Sequence, residues 1–488
     1  METGENKAMR RSLCLAFGLG MLASGPAWAQ ATAEGAARLQ AALEAWQPSV
    51  GRLSLDEVDA VTRMTMIPFS VSDWQVTADG DGYRVAVPGF RWLLSGELEE
   101  HQDPTVLSCD AESVRAVPTS AGTFILGSDR LLACRVGNIG RIVAKSRRVT
   151  GTVDPGAPAN TTIVVTFEQV SIEGGTTRVP TIDRLELTRS AKAVADGRVD
   201  LDADITIEGL AYPFPDGVGE LRIDRILFDC GMPGTDAAGL TRSAVALMKA
   251  ERRKTDAAPD TIGPLRDRVI AGLGKVGTTT LTAAGLQAKR NEVSIGLSSL
   301  AVGFGYRDFD RDGAGITLRL DMKDLSVGPR WRYAAWTPTD SIMQVSIEGF
   351  PFWEIFDAFL ADRPADSQED QELFRRARMR LSVDAMQLSA PDAALEFGGS
   401  VARVPDAVNG WAGALRLRLT GIDGLVKALQ ADPKASQAAA GLTMVQVLGR
   451  QTTLPDGRTA RDYEIVIDPS GKVLVNGADV QALVPKDL

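Results

Sequence analysis

The stretch VDLDADITIEGL, residues 199 to 210, decides the fold class of this chain. Apolar side chains occupy its odd positions from Val199 to Ile207, and polar side chains occupy its even positions from Asp200 to Glu208. A period of two separates the two kinds of side chain onto opposite faces of a strand, whereas a helix would scatter them around its axis. The stretch therefore predicts a β-strand with one apolar and one polar face.

The same alternation recurs along the chain, and turn sequences lie between the alternating runs. ADGDGY (78–83) and DPSG (468–471) each predict a tight connection between two strands. Short connections imply mainly antiparallel pairing. Other alternating runs are TIVVTFEQVSI from Thr162, EVSIGLSSL from Glu292, MRLSVDAMQLS from Met379, ALRLRLTGI from Ala414 and YEIVID from Tyr463.

Amphipathic segments with apolar residues three or four apart predict a smaller number of helices. Together with the strands they predict an α+β fold, predominantly antiparallel β, with an extended curved sheet and amphipathic helices packed on one face. The segments are AARLQAALEAWQ from Ala36, GLTRSAVALMKAERRK from Gly239, PLRDRVIAGLGKV from Pro264, FWEIFDAFLA from Phe352, SQEDQELFRRAR from Ser367, IDGLVKALQA from Ile422 and QAAAGLTMVQVLG from Gln437.

Three segments share one layout, in which an alternating strand runs into a glycine and then an apolar residue. They are ITIEGLAYPF (205–214), VSIEGFPFWEIF (345–356) and LRLTGIDGLVKAL (417–429). The layout indicates one repeated supersecondary unit, or only the common ending of strands in glycine. Composition places unit boundaries near residues 238 and 336, which gives an N-terminal β-rich unit (30–238), a helical segment with β-hairpins (239–336) and a C-terminal β/α unit (337–488).

The N-terminal 29 residues have the pattern of a Sec-type signal peptide. A basic region with Lys7, Arg10 and Arg11 precedes the apolar run 13–23, and Ala27-Trp28-Ala29 offers a small-x-small cleavage site. The apolar run is shorter than the ~20 residues that a membrane-spanning helix needs, although a membrane anchor is the alternative interpretation. We expect export to the periplasm.

Charge and histidine content narrow the classes of function. The chain has 53 basic and 63 acidic residues, which gives a net charge of −10 and argues against nucleic acid as a partner. His101 is the single histidine, in a segment typical of an exposed loop. Most general-base and metal-hydrolase sites use histidine, and no nucleophile or phosphate-loop motif is present. We therefore expect a non-enzymatic protein without a cofactor.

Three cysteines lie beyond the predicted signal peptide. Cys109 and Cys134 fall in nearby strand-like segments and form a candidate disulfide, which the exported compartment permits. The alternative is three buried thiols. Cys230 would then remain as a structural thiol, an exchange partner or an intermolecular link.

The stretch YRDFDRDGAGITL (306–318) resembles the start of a calcium loop. Asp308, Asp310 and Asp312 stand at alternate positions before a glycine and are candidate metal ligands. A complete EF-hand loop needs a glutamate at the twelfth position, but Arg319 stands there. Because the flanking residues also alternate, we expect an acidic hairpin turn, with calcium binding as the alternative.

The segment FPFWEIFDAFL (350–360) concentrates aromatic residues. Its candidate ligand contacts would let a helix touch lipid or a partner, or else fill the open face of a curved sheet. These candidates are Phe350, Phe352, Trp353, Phe356 and Phe359.

The C-terminal third resembles proteobacterial envelope proteins with a domain of unknown function and, more distantly, the AsmA-like envelope proteins. The resemblance covers residues 340–488 and rests on strand rhythm in MQVSIEGFPFWEIFDAFL, RLSVDAMQLSAPDAALEFGGSV, ALRLRLTGIDGLVKALQ and RDYEIVIDPSGKVLVNGADVQALVP. It implies a long curved sheet in the periplasm that presents an apolar groove to lipid, and it supplies no catalytic residues.

The leading hypothesis is a periplasmic envelope protein that binds lipid or another apolar ligand between a curved sheet and helices, with lipid or an envelope protein as partner. A structural or interaction module with a filled core is the alternative. A calcium-stabilised β protein comes third.

Overall fold

A computed structural model provides the structure of the protein. It describes residues 31–46, 69–70, 73–87, 90–95, 105–109, 112–128, 133–136, 140–157, 160–173, 180–194, 198–214, 218–236, 274–308, 314–329, 332–352 and 376–480, together with the single positions 239, 243, 246, 264, 267, 268, 271, 272 and 372. The predicted signal peptide and His101 lie outside the described residues, as does most of four predicted helices, those that begin at Gly239, Pro264, Phe352 and Ser367.

All described strands belong to one antiparallel sheet, which confirms the predicted β class. Alternating sequences form its longest strands, because such strands can bury one face and expose the other. In chain order, the N-terminal strands are β1 (Phe69–Ser70), β2 (Gln75–Asp79), β3 (Gly82–Val87), β4 (Phe90–Ser95), β5 (Thr105–Cys109), β6 (Glu112–Pro118), β7 (Phe124–Ser128) and β8 (Ala133–Val136).

The long strands follow and pair mainly with their neighbours in sequence. They are β9 (Gly140–Val153), β10 (Thr161–Glu173), β11 (Thr181–Ala193), β12 (Val199–Pro213), β13 (Gly219–Thr235), β14 (Val276–Arg290), β15 (Val293–Arg307), β16 (Ala314–Lys323), β17 (Ser326–Gly328), β18 (Asp340–Phe350), β19 (Arg380–Ala390), β20 (Ala393–Arg403), β21 (Trp411–Thr420), β22 (Arg450–Thr453), β23 (Thr459–Ile467), β24 (Val473–Val475) and β25 (Ala478–Asp479).

The pairings give an open meander of thirteen consecutive strands. From β9 to β16 each strand pairs with the next, β16 then pairs with β18, and the order continues through β19, β20 and β21 to β23. At the first edge, β7 and β8 lie end to end along β9. At the last edge, β22 and β24 lie end to end along β23. At about 4.8 Å per strand, the meander spans about 60 Å.

Tight turns connect strands where the sequence predicts them. The Asp-Gly turn after Ala78 joins β2 to β3, and Gly80 has a φ of +67° that suits a glycine. The DPSG turn joins β23 to β24, and the Gly471 amide donates to the Asp468 carbonyl at 2.9 Å. Local turn chemistry therefore sets the antiparallel pairing, as predicted.

Three of the predicted helices lie within the described residues. They are α1 (Ala33–Trp46), α2 (Ile422–Gln430) and α3 (Ser436–Leu448). Leu39 and Leu43 of α1 are fully buried in a core with Val85, Val149 and Leu201. The N-terminal strands and the first part of the meander thus share one core, while the packing of all the helices on one face of the sheet stays a prediction.

The sheet continues across both predicted unit boundaries. β13 pairs with β14 on either side of residue 238, and β16 pairs with β18 on either side of residue 336. The three glycines of the proposed repeat share one backbone geometry, with φ values of +65° at Gly209, +66° at Gly349 and +78° at Gly421. The proposed repeat therefore includes a common left-handed glycine.

Candidate functional site

One face of the meander is apolar from the first long strand to the last. A single register row crosses the thirteen strands, with each member directly opposite the next, and contains no polar residue other than the phenol of its last member. This row consists of Val149, Val165, Leu187, Ile205, Phe228, Leu281, Val302, Leu320, Met343, Met386, Phe397, Leu417 and Tyr463. We call the sheet surface that carries it the apolar face.

The opposite surface is polar over the same length. The row one residue away along each strand contains ten polar residues and only three apolar ones, so the strands are amphipathic throughout. We call this surface the polar face, and its row is Arg148, Thr166, Glu186, Thr206, Leu227, Thr282, Ala301, Asp321, Ile342, Gln387, Glu396, Arg418 and Asp462.

The apolar row is buried at its ends and exposed in its middle. Val149 and Tyr463 are each 4% exposed, whereas Leu281 is 43% and Val302 is 42% exposed. Leu318, in an adjacent row of the same face, is 47% exposed. A folded chain normally removes such side chains from water, so an exposed apolar strip of this extent indicates a binding surface.

Different elements cover the two ends of the row. Val149 packs in the core that contains α1. At the other end the hydroxyl of Tyr463 donates to the carbonyl of Val445 in α3 at 2.9 Å. Arg461, two residues before Tyr463, pairs with Asp423 of α2 at 3.3 Å. Helices therefore contact the sheet near both ends of the row.

Two arginines interrupt the apolar face near its first edge. Arg147 of β9 is 7% exposed and lies opposite Phe167, and Arg189 of β11 lies opposite Ile163. Burial lowers the pKa of each guanidinium to about 10, because a charged group loses hydration there. Both remain cationic at neutral pH, so this end of the apolar face carries positive charge.

Cys230 lies near the centre of the apolar face. It stands opposite Ala203 on one side and Thr279 on the other, and the Thr279 hydroxyl donates to its sulfur at 3.5 Å. Cys230 is a half-buried free thiol. Cys134 is disulfide-bonded and stands directly opposite Cys109 in the β5–β8 register, which is the arrangement that the predicted pairing requires.

The polar face contains a close pair of carboxylates. Asp204 of β12 stands directly opposite Asp229 of β13. Desolvation, a hydrogen bond to Asp229 and repulsion by Asp229 and Asp202 raise the pKa of Asp204 to about 6. This pair destabilises the folded chain at neutral pH, when both groups are charged.

A groove of about 480 Å³ lies where β19, β20, β21 and β23 meet. Its lining carries both signs of charge, including Glu396, Arg416, Arg418 and Asp462. Arg418 donates to Asp462 at 2.7 Å, and this bond, with a further one from Thr452, lowers the pKa of Asp462. A charged lining of this kind is unsuited to an apolar ligand.

The structure places only part of the predicted aromatic site. Phe350 ends β18 opposite Ala314, and Phe352 is half-buried at the start of the following helix. Trp353, Phe356 and Phe359 lie outside the described residues. The exposed residues Leu281, Val302, Phe304 and Leu318 were not predicted as site residues, although alternation in the EVSIGLSSL segment and its neighbours already marks that face as apolar.

The loop between β15 and β16 connects two antiparallel strands, so its flanks are strands as predicted. Asp308 is exposed, with a φ of +49°, whereas Asp310 and Asp312 lie outside the described residues. Within the described part of the chain no three histidine, cysteine, aspartate or glutamate side chains come together as a metal site.

No helix within the described ranges has both the length and the apolar character needed to cross a membrane. Comparison of the chain with protein-family models, with curated proteins and with solved structures found no match.

Proposed function

We propose that the protein is a non-enzymatic component of the periplasm that binds the acyl chains of lipids along its apolar face. The observation that supports this proposal is the thirteen-strand apolar row, with Leu281 and Val302 more than 40% exposed at its centre. Hydrocarbon chains would remove these side chains from water at about 25 cal/mol for each Å² buried.

The chemistry of the row favours a hydrocarbon ligand over a protein partner. A protein interface usually carries about one hydrogen bond for every 100–200 Å² and is anchored by aromatic or arginine side chains. Between Leu281 and Met386 the row offers only aliphatic and thioether groups in five consecutive strands. Such a surface fits acyl chains, which need contact area and no hydrogen bonds.

The proposal predicts that lipid co-purifies with the protein and that the exposed centre of the row holds it. Leu281→Asp introduces a charge on the apolar face and should reduce bound lipid at least several-fold. The matched control is Thr282→Asp, which introduces the same charge one residue away on the polar face and should leave lipid binding unchanged. Native mass spectrometry of protein from envelope extracts measures the bound lipid directly.

Two outcomes would count against the proposal. Wild-type protein that carries no extractable lipid, and takes none from vesicles of phosphatidylethanolamine and phosphatidylglycerol, would favour a structural or interaction module. Equal loss of lipid in Leu281→Asp and Thr282→Asp would show that the effect arises from destabilised folding and not from the apolar face.

A further inference from the structure

A row of interruptions in the hydrogen-bonded ladder crosses the first half of the meander. Pairing on either side of the row is regular, as in Glu208↔Arg225 and Leu210↔Ile223, but the residues between these pairs are unpaired in the ladder. The register continues unchanged across each gap, so the interrupted positions stand opposite one another from β9 to the segment after β16. They are Lys145, Gln169, Asp183, Gly209, Asp224, Gly285, Ser298 and Asp324.

Every second member of this row has a left-handed backbone. The φ values are +50° at Gln169, +65° at Gly209, +65° at Gly285 and +55° at Asp324. Extended strands normally have φ near −120° to −140°, so each of these residues breaks the geometry of its strand. Their recurrence at one register position makes the row a designed feature of the sheet and not a scattered irregularity.

The left-handed residues reset the alternation of side chains. In a regular strand Phe167 and Val170 would point to opposite faces, since they are three residues apart. Both nevertheless pack in one buried cluster with Ala144, because Gln169 lies between them. The apolar positions of β12 shift in the same way from odd numbers before Gly209 to even numbers after it. The apolar face therefore continues across the row as a second, narrower band.

An aspartate lies against each of the two glycines in the row. A Cβ atom on Gly209 would overlap the carboxylate of Asp183, and a Cβ atom on Gly285 would overlap the carboxylate of Asp224. At the next pair the Ser298 hydroxyl donates to the Asp324 carboxylate at 2.6 Å and to the Lys323 carbonyl at 3.1 Å. Each strand pair thus has a polar side chain seated where the ladder is open.

We propose that this row is a crease that bends the sheet and turns the narrow apolar band toward the wide one. Glycine kinks and bulges at matched positions are the means by which sheets curve. The crease rests on the proposed function for its purpose, since it would convert a flat apolar face into a groove for acyl chains. Gly209, Gly285, Asp183 and Asp224 are then positioning residues for the lipid-binding surface.

A distance measurement tests the bend without any lipid. Spin labels on the native Cys230 and on Ala288→Cys lie on opposite sides of the crease, nine residue positions apart along β14. A straight strand would separate these positions by about 30 Å, whereas a creased one brings them several ångströms closer. The control pair, Ala412→Cys and Leu419→Cys in a Cys230→Ser background, lies in β21 and should give about 23 Å. A Cys230–Ala288 distance of 30 Å or more overturns the proposal.

A double-mutant cycle tests the seating of the aspartate on the glycine. Gly285→Ala should lower Tm by several degrees, because its methyl group meets the Asp224 carboxylate at a positive φ. Adding Asp224→Ala should recover part of that loss, because it removes the overlap. Gly457→Ala is the matched control, since Gly457 has a φ of +82° with open space around it and should show the backbone strain alone.

The lipid readout separates the crease from the proposed function. If the crease shapes the groove, Gly285→Ala should reduce bound lipid, and Asp224→Ala should restore part of it in the same order as Tm. Bound lipid that is unchanged while the distance shortens as expected would leave the bend in place but remove its role in binding. No recovery of Tm in the double variant would overturn the assignment of Asp224 as the seated partner.

Discussion

At the scale of single residues, the polar face carries both stabilising and destabilising contacts. Arg418 and Asp462 form an ion pair at 2.7 Å between β21 and β23. Asp204 and Asp229 instead place two carboxylates directly opposite each other. Opposite charges at such positions stabilise a strand pair, and like charges destabilise it by a similar amount.

The carboxylate pair predicts a pH-dependent effect of Asp204→Asn. The pKa of Asp204 is about 6 in the folded chain and near 4 when unfolded, so its proton stabilises the fold. That stability is fully present below about pH 4 and is lost as the pH rises through 6. Asparagine removes the repulsion, so Asp204→Asn should raise the free energy of unfolding by about 0.5 kcal/mol at pH 7.5 and by nothing at pH 4.

Urea denaturation at the two pH values measures this difference. Glu292→Gln is the control, because it removes the same charge from the exposed turn between β14 and β15. A stabilisation by Asp204→Asn that persists at pH 4, or that Glu292→Gln reproduces, would contradict the paired-carboxylate explanation.

At the scale of elements, side chains of the sheet complete the C-terminal end of α3. The last carbonyls of a helix have no partner within it. The hydroxyl of Tyr463 donates to the Val445 carbonyl at 2.9 Å, and the amide of Asn476 donates to the Leu448 carbonyl at 2.8 Å. These two bonds fix the end of α3 against β23.

Removing the Tyr463 hydroxyl should therefore loosen α3. Tyr463→Phe keeps the ring but leaves the Val445 carbonyl without this donor, which should cost about 1 kcal/mol of unfolding free energy. Faster amide exchange in residues 446–449 would locate the change at the helix end. Tyr212→Phe is the control, and equal destabilisation by both variants would show that the bond to α3 has no special role.

At the scale of the whole molecule, the meander is amphipathic over about 60 Å. Val149 and Tyr463, at opposite edges, are buried, while Leu281 and Val302 between them are exposed. A sheet of this kind has no second layer over its centre within the described part of the chain. Its apolar face needs a partner, and export to a compartment bounded by membranes would provide lipid.

Export itself predicts a processed N-terminus. In a proteobacterial host the mature chain should begin at Gln30, after the Ala27-Trp28-Ala29 site. Ala29→Tyr should block cleavage, because the site needs a small residue there, whereas Trp28→Phe should be processed normally. Intact mass of the purified chain distinguishes the forms, and a wild-type chain that retains its first 29 residues would contradict the signal-peptide prediction.

Much of the fold could be predicted from alternation and turn chemistry. The run from Val199 to Ile207 predicts both the strand β12 and its apolar side, because period two is a local property of an extended chain. The candidate site was predicted less well. The exposure of Leu281 depends on what lies above it, and alternation does not distinguish a covered apolar face from an open one.

The sequence by itself determined an antiparallel sheet, the two faces of its strands and the turns that join them, because each depends on residues close together in the chain. Only the tertiary structure decided that the thirteen strands form one open meander with an exposed centre. It also decided the crease, because Gln169 and Asp324 adopt a left-handed backbone without the glycine that would announce it. Their conformation follows from alignment with Gly209 and Gly285 across the sheet, which is a property of register between strands and not of any one strand.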